Sequence, residues 1–416
     1  MTGLVFFAAF LLLPLFGFAV WRLPAAARLT TGARLAVAGA AGALVTAIAL
    51  AFLSLWGIGW TTTRLILAFV AIGAFNWRLL SRGETVAPAR LPWRWPSIGV
   101  AIFILLTAYG VFTARESCGD LHYFWGPKAV RFYRSGGIDP AFLRSSDAHS
   151  LNPDYPPLVP LIYVMSETLA RHFSWWAALA LLPLTLLAIA AMIRSFSGDD
   201  AGTLLTIAVL SHAIAVGFAA GGGEPALLLF ETLTLCAITF VDDERSQTIL
   251  AAIGLAGAVW TKVEGATFMV AVVVTLLILR RRPRQVALMA LPATILLACW
   301  IRFTQFGGFL TTYDAGSRYP FKLAFLKTVI PLVVRAASFE IFWLPWLAMI
   351  AVIISGNVRR ALVPLGIAIL TLGAAVFFYS RIDDPGWWIA ASAPRVLLTP
   401  LLALGIAATR ATTAES

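Results

Sequence analysis

The run Arg115-Glu-Ser-Cys-Gly-Asp120-Leu-His122-Tyr-Phe-Trp-Gly-Pro-Lys128-Ala-Val-Arg131-Phe-Tyr-Arg134 brings a carboxylate, an imidazole and three cations into one short polar stretch. Lys128, Arg131 and Arg134 recur at helical spacing and share a face. One reading is an amphipathic helix on a membrane surface, with Asp120 as its N-cap and the basic face on lipid phosphates. A second, compatible reading is chemical. A carboxylate at the membrane boundary beside aromatic and cationic side chains suits a general base that takes a proton from an acceptor hydroxyl while the cations hold a phosphate.

The elements that must position this stretch are apolar. The 416 residues are 60% hydrophobic and 12% charged, whereas a water-soluble domain carries roughly 25% charged residues. Runs long enough to cross a bilayer recur along the whole chain, which predicts an all-α, polytopic transmembrane bundle of about 11–13 spans with amphipathic helices in a long outer loop. The formal net charge of +11 sits in short Arg clusters between the runs, where it sets topology, and a nucleic-acid partner is excluded on that ground. Of the three cysteines, Cys236 and Cys299 fall inside apolar runs, so no disulfide framework is read. The run Leu4–Val20 has no preceding cation and is followed by Arg22, Arg28 and Arg34; it reads as a retained helix with its N-terminus outside, not as a cleaved signal.

Spans are expected near 3–21, 34–56, 63–80 and 97–114, with Arg-rich cytoplasmic connections at 22–34 and 78–94. The fourth span delivers the chain outside at the loop 115–156. Six apolar segments then precede the cluster Arg280-Arg-Arg282 and Arg284, and an outside start with an inside finish needs an odd number of crossings. The segment 157–170 has only about 14 residues, fewer than the roughly 17–25 a span needs, and carries Glu167 and Arg171, so it is read as interfacial or re-entrant. That choice places Gly221–Pro225 and Thr261–Gly265 on the same outer face as the long loop. Later spans are expected near 285–303, 338–355, 361–379 and 395–409, with outer loops at 304–336 and 380–394.

Asp120, followed by Trp125 and Lys128-Ala129, and then Asn152-Pro-Asp-Tyr155-Pro156-Pro157-Leu158, resembles the first external loop of the GT-C superfamily of membrane glycosyltransferases, notably the lipopolysaccharide-sugar and aminoarabinose transferases related to protein O-mannosyltransferases. Gly221-Gly-Gly-Glu224-Pro225, Thr261-Lys262-Val-Glu264-Gly265 and the stretch from Trp388 to Arg395-Val-Leu-Leu-Thr-Pro400 are similar to further family features. The likeness spans roughly 97–410. It divides the chain into extra N-terminal helices at 1–96 and a catalytic membrane region at 97–416 with its outer loop at 115–156. The resemblance implies a bacterial inner (plasma) membrane enzyme whose site faces outward, with Asp120 as catalytic base. It also implies a polyprenyl-phosphate sugar donor, a lipid or envelope-glycan acceptor and contact with membrane lipid. His122, Lys128, Tyr155, Glu224, Lys262, Glu264 and Arg395 are the candidate substrate-binding residues. The family's loop often carries two neighbouring acids; here Glu116 and Asp120 are spaced differently from an Asp-x-Asp pair, so a divalent metal draws only weak support and no cofactor is assigned.

Each candidate also has a structural reading. Tyr155-Pro156-Pro157 also suits an extended lead into a helix, and Glu224 also suits a positive helix end. Lys262 and Glu264 also suit a snorkelling pair. Glu231 lies inside an apolar run, where an ionisable group is costly, and pairs equally well with a function or with His212 of the preceding span. Arg381, Asp383 and Asp384 read as a solvated loop cluster. A transporter or lipid flippase built on Glu231, His212 and Lys262 is the alternative function, and a non-catalytic scaffold is a third; the sequence has no internal repeat to favour transport.

Overall fold

A computed structural model describes residues 2–81, 87–89, 91–92, 94–115, 118–279, 281–309, 321–338 and 343–413, and among these every regular element is a helix. Among the described residues seven helices are long and apolar enough to cross a bilayer, and the bent pair Pro385–Val396 and Leu398–Thr412 makes an eighth when taken as one broken span. Glu224–Phe240, Glu244–Thr261 and Glu264–Ile278 are shorter or more polar, yet they run between the same two ends of the bundle. Glu224–Phe240 and Glu244–Thr261 bury most of their residues against protein, so little of their polar surface must face lipid, while Glu264–Ile278 is short but apolar where it is exposed, at Val270, Leu277 and Ile278.

Ion pairs mark the two ends. At one end Arg28 bonds Asp242, Arg282 bonds Glu244, and Arg194 reaches Asp200 and the carbonyl of Pro92. The Arg-rich connections expected on a single side do gather on a single side. At the other end the amide of Asp120 donates to the Ala220 carbonyl at 2.9 Å, and Lys262 meets Glu224.

The helix Leu158–Ala170 tests the crossing count. Its 13 residues span only about 20 Å at 1.5 Å per residue, too short for a bilayer core of about 30 Å. Both of its ends stay at the Asp120 end of the bundle: Thr168 accepts a hydrogen bond from Thr62, and Trp175, just beyond the helix, stacks on His122. It does not cross. Nearly every residue along it is buried, Glu167 included, so it is enclosed by protein and is not an interfacial helix with one face on lipid.

Two segments expected as loops are helical. The helix Leu326–Ser338 overlaps most of the later part of the range 304–336, and Pro385–Val396 covers most of 380–394 and runs two residues beyond it. The second starts where Asp384 accepts the amide of Trp387 and Pro385 occupies the first turn, the ordinary chemistry of a helix start. It breaks at a 44° bend before Leu398. Pro400 accounts for the break, because it has no N–H to give the Val396 carbonyl and its ring crowds that same group.

Candidate active site

Asp120 stands just before a π turn over Leu121–Trp125, which leads into the helix Gly126–Ser135. Wide turns of this kind are rare and often occur at functional sites. The carboxylate of Asp120 caps no helix amide. Instead its Oδ2 accepts from Arg395 Nη1 at 2.7 Å.

The same guanidinium nitrogen lies 3.9 Å from Glu224 Oε1, and Lys262 Nζ bonds that oxygen at 2.9 Å and Glu264 Oε1 at 3.2 Å. Five residues from four separate stretches of chain thus form one alternating cluster of three carboxylates and two cations. Glu224 is 2% exposed, and its Oε2 has no hydrogen-bond partner among the described residues. A buried oxygen of this kind is costly unless a ligand or water supplies a donor.

The glycines before Glu224 permit this approach. Gly221 adopts φ +71°, where a side chain is strained. A Cβ on Gly222 would stand 1.9 Å from Glu224 Oε2 and 2.8 Å from Asp120 Oδ2. Any larger residue would separate the two carboxylates.

The cluster lines a cavity of about 610 Å³. Its charged groups gather beside apolar walls that include Phe124, Leu227, Leu228, Phe378, Ile382 and Trp388. A charged floor against an apolar wall suits a ligand with an anionic head and a hydrocarbon tail. Burial, then the nearby Glu224 carboxylate, push Asp120 up to about 6, against the opposing pull of Arg395 and Lys262.

Of the candidates read from sequence, Asp120, Tyr155, Glu224, Lys262, Glu264 and Arg395 all line this cavity. His122 lies apart: its ring stacks on Trp175 at 4.8 Å between centroids and its Nε2 meets the Arg115 carbonyl. Lys128 is also not a wall residue. It is 2% exposed, and its Nζ donates to the Asn152 carbonyl at 2.7 Å; burial pushes its ammonium down to about 7. Arg131, expected on the same basic face, bonds Asp139. Glu116 lies outside the described residues. Asp384 acts as a helix cap and Asp383 pairs with Lys322, at the exposed mouth of the cavity.

Glu231 takes its hydrogen bonds from Thr399 Oγ1, 2.9 and 3.0 Å from its two oxygens, and not from His212. Trp125 and Asn152, quoted in the loop likeness but not as site residues, also line the cavity, as do Thr399 and Ser392, which were not singled out from sequence. Thr399 carried one signal, its place beside Pro400 in the stretch after Arg395. Among the described residues no group of three acidic, His or Cys side chains is arranged to hold a metal ion.

No protein-family model matches the chain, and no curated protein sequence matches it. Among solved structures, that of ArnT from Cupriavidus metallidurans bound to undecaprenyl phosphate is similar, with a TM-score of 0.50 and 18% identity over 76% of this chain and 60% of that one. The present chain therefore corresponds to less than two thirds of that protein's length. The two share a polytopic helical membrane fold.

Proposed function

We propose that this chain is a membrane glycosyltransferase that moves a sugar from a polyprenyl-phosphate donor to a hydroxyl of a lipid or cell-envelope glycan, with inversion at the anomeric carbon. The observation that carries the reading is the Asp120–Arg395–Glu224–Lys262 cluster at the charged floor of a half-apolar cavity. The similar ArnT structure is described as bound to undecaprenyl phosphate, a molecule with an anionic head and a hydrocarbon tail.

In this mechanism the donor phosphate enters between Lys262 and Arg395 and competes for the guanidinium that holds Asp120 at rest. Asp120 is then free to take the acceptor proton. The acceptor oxygen bonds to the anomeric carbon as the bond from that carbon to the phosphate oxygen breaks. The proton passes to Asp120, and polyprenyl phosphate leaves with its charge stabilised by Lys262 and Arg395. A raised base near neutrality fits this duty better than an ordinary carboxylate would, since a general base works best with a pKa near the operating pH. Glu224 is tied to Lys262 and acts as the fixed counter-charge that orients both cations. The site is placed at the outer face of a bacterial plasma membrane, where polyprenyl-linked donors would meet envelope acceptors, and residues 97–416 form the catalytic region.

The test is release of polyprenyl phosphate and labelled sugar transfer in proteoliposomes holding the full chain, polyprenyl-phosphate sugars and envelope lipid extract. Transfer that requires Asp120 supports the reading. Transfer that survives Asp120→Asn overturns it.

A further inference from the structure

Lys128 is a lysine that the proposed chemistry does not use, buried where lysines are rarely found. Among the described residues its ammonium donates to the Asn152 carbonyl at 2.7 Å, and it lies 5.6 Å from the centre of the Trp125 ring. Placing a lysine there costs desolvation and side-chain freedom, so the contact it makes must fix something of value.

The contact fixes a turn. Asn152 has φ +48°, Pro153 follows, and the Tyr155 amide donates back to the Asn152 carbonyl at 3.0 Å. This is a four-residue turn closed by its own bond, with proline at the second position. Lys128 adds a second donor to the same carbonyl. The next pin comes from the helix Pro283–Gly307, where Trp300 Nε1 donates to the Asp154 carbonyl at 2.7 Å. The turn is therefore held from two directions by side chains that are distant in sequence.

Tyr155 ends the turn and faces the site. Its ring centre lies 5.9 Å from that of Trp125 and 5.7 Å from Lys262 Nζ. A continuous path of contact runs from Lys128 through Trp125 and Tyr155 to Lys262, one of the two cations of the charged floor.

We propose that Lys128 is a positioning residue: by clamping the Asn152 carbonyl it holds the 152–155 turn as one wall of the cavity and keeps the Tyr155 ring over Lys262. The role differs from the phosphate binding suggested by its place on a basic helical face, because its nitrogen is spent on backbone behind the wall. Only its effect on transfer rests on the proposed activity; its effect on the turn does not.

Hydrogen exchange on the full chain in nanodiscs tests the clamp without any substrate. In Lys128→Met the amides of Asn152, Asp154, Tyr155 and Leu158 should exchange tenfold faster or more, while 126–135 and 224–240 keep wild-type protection. Lys128→Gln, which retains a donor, should recover most of that protection. Trp300→Phe removes the other pin and should loosen the same four amides, which keeps the test available if Lys128→Met does not insert. Unchanged exchange in both Lys128→Met and Trp300→Phe overturns the proposal, as does loosening of 126–135 along with the turn. Where transfer is measurable, Lys128→Met should raise donor KM at least tenfold with a smaller change in kcat, since a wall displaced by about 1 Å is enough for a large kinetic effect. A transfer assay that fails for wild type counts against the proposed function and leaves the exchange result to decide the clamp.

Discussion

Arg395 donates to Asp120 at 2.7 Å across a sequence separation of 275 residues. The ion pair joins the first long polar loop to the last broken span, and it makes the resting state of the site an occupied one. In the proposed mechanism a donor phosphate competes with Asp120 for the guanidinium, which would couple donor binding to release of the base.

Asp120→Asn should reduce transfer more than about a hundredfold with normal expression and insertion, in line with the roughly 10² to 10⁴ contributed by a general base. A capping role would give a different result. Asn caps nearly as well as Asp, and loss of a cap costs only about 1 kcal/mol. Purified membranes supplied with donor lipid decide between the two.

The pH dependence follows from the raised Asp120. The base must be ionised to accept a proton, so kcat/KM should rise as pH increases through about 6 and fall away below it. Gly222→Ala, which drives apart Asp120 and Glu224, should weaken one source of that rise and move the inflection down while lowering activity. A pH–rate profile of both proteins, read on the acid limb, checks this.

Lys262→Ala and Arg395→Ala should each weaken donor binding. Lys262→Ala should also cost stability, up to about 3 kcal/mol, because the buried Glu224 would lose its hydrogen-bonded cation and keep only Arg395 at 3.9 Å. The double variant Lys262→Met with Glu224→Leu should regain much of the stability and none of the donor binding. Thermal unfolding together with polyprenyl phosphate titration separates the two effects; equal donor affinity in Lys262→Ala and wild type would refute the phosphate-binding role.

Cysteine labelling addresses the two ends of the bundle in a Cys299→Ser background, since Cys118 and Cys236 are buried. Cysteines at positions 140 and 388 should react with an impermeant reagent from outside, and those at 28 and 282 only from the cytoplasm. Reaction of 388 and 282 from the same side would break the topology that places the site outward.

Thr399→Val should destabilise the chain by about 1–3 kcal/mol, the cost of leaving the buried Glu231 carboxyl without its hydroxyl partner. Thr399→Ser should restore it. Calorimetry in nanodiscs provides the comparison, and a fully stable Thr399→Val would show that Glu231 finds another donor.

The amino-acid sequence determined the class of molecule, most of its helices, and which of their ends carry the arginines. These are local properties: an apolar run of sufficient length has lipid or protein as its only stable surroundings, and the Arg-rich connections that include Arg28 and Arg282 remain exposed. It also marked Gly221–Glu224, Lys262–Glu264 and Arg395 as polar groups at helix ends, and a crossing count put them with Asp120. Tertiary structure alone decided the pairings. Helices apolar on every side, such as Asp200–Ala219, have no polar stripe to say which neighbour each face meets. Nothing local shows that Thr399 and not His212 serves Glu231, or that Lys128 turns inward to Asn152 while Arg131 turns to Asp139. Those choices depend on which side chains the packed helices leave within hydrogen-bond reach of one another, and a buried charge accepts whichever partner that packing supplies.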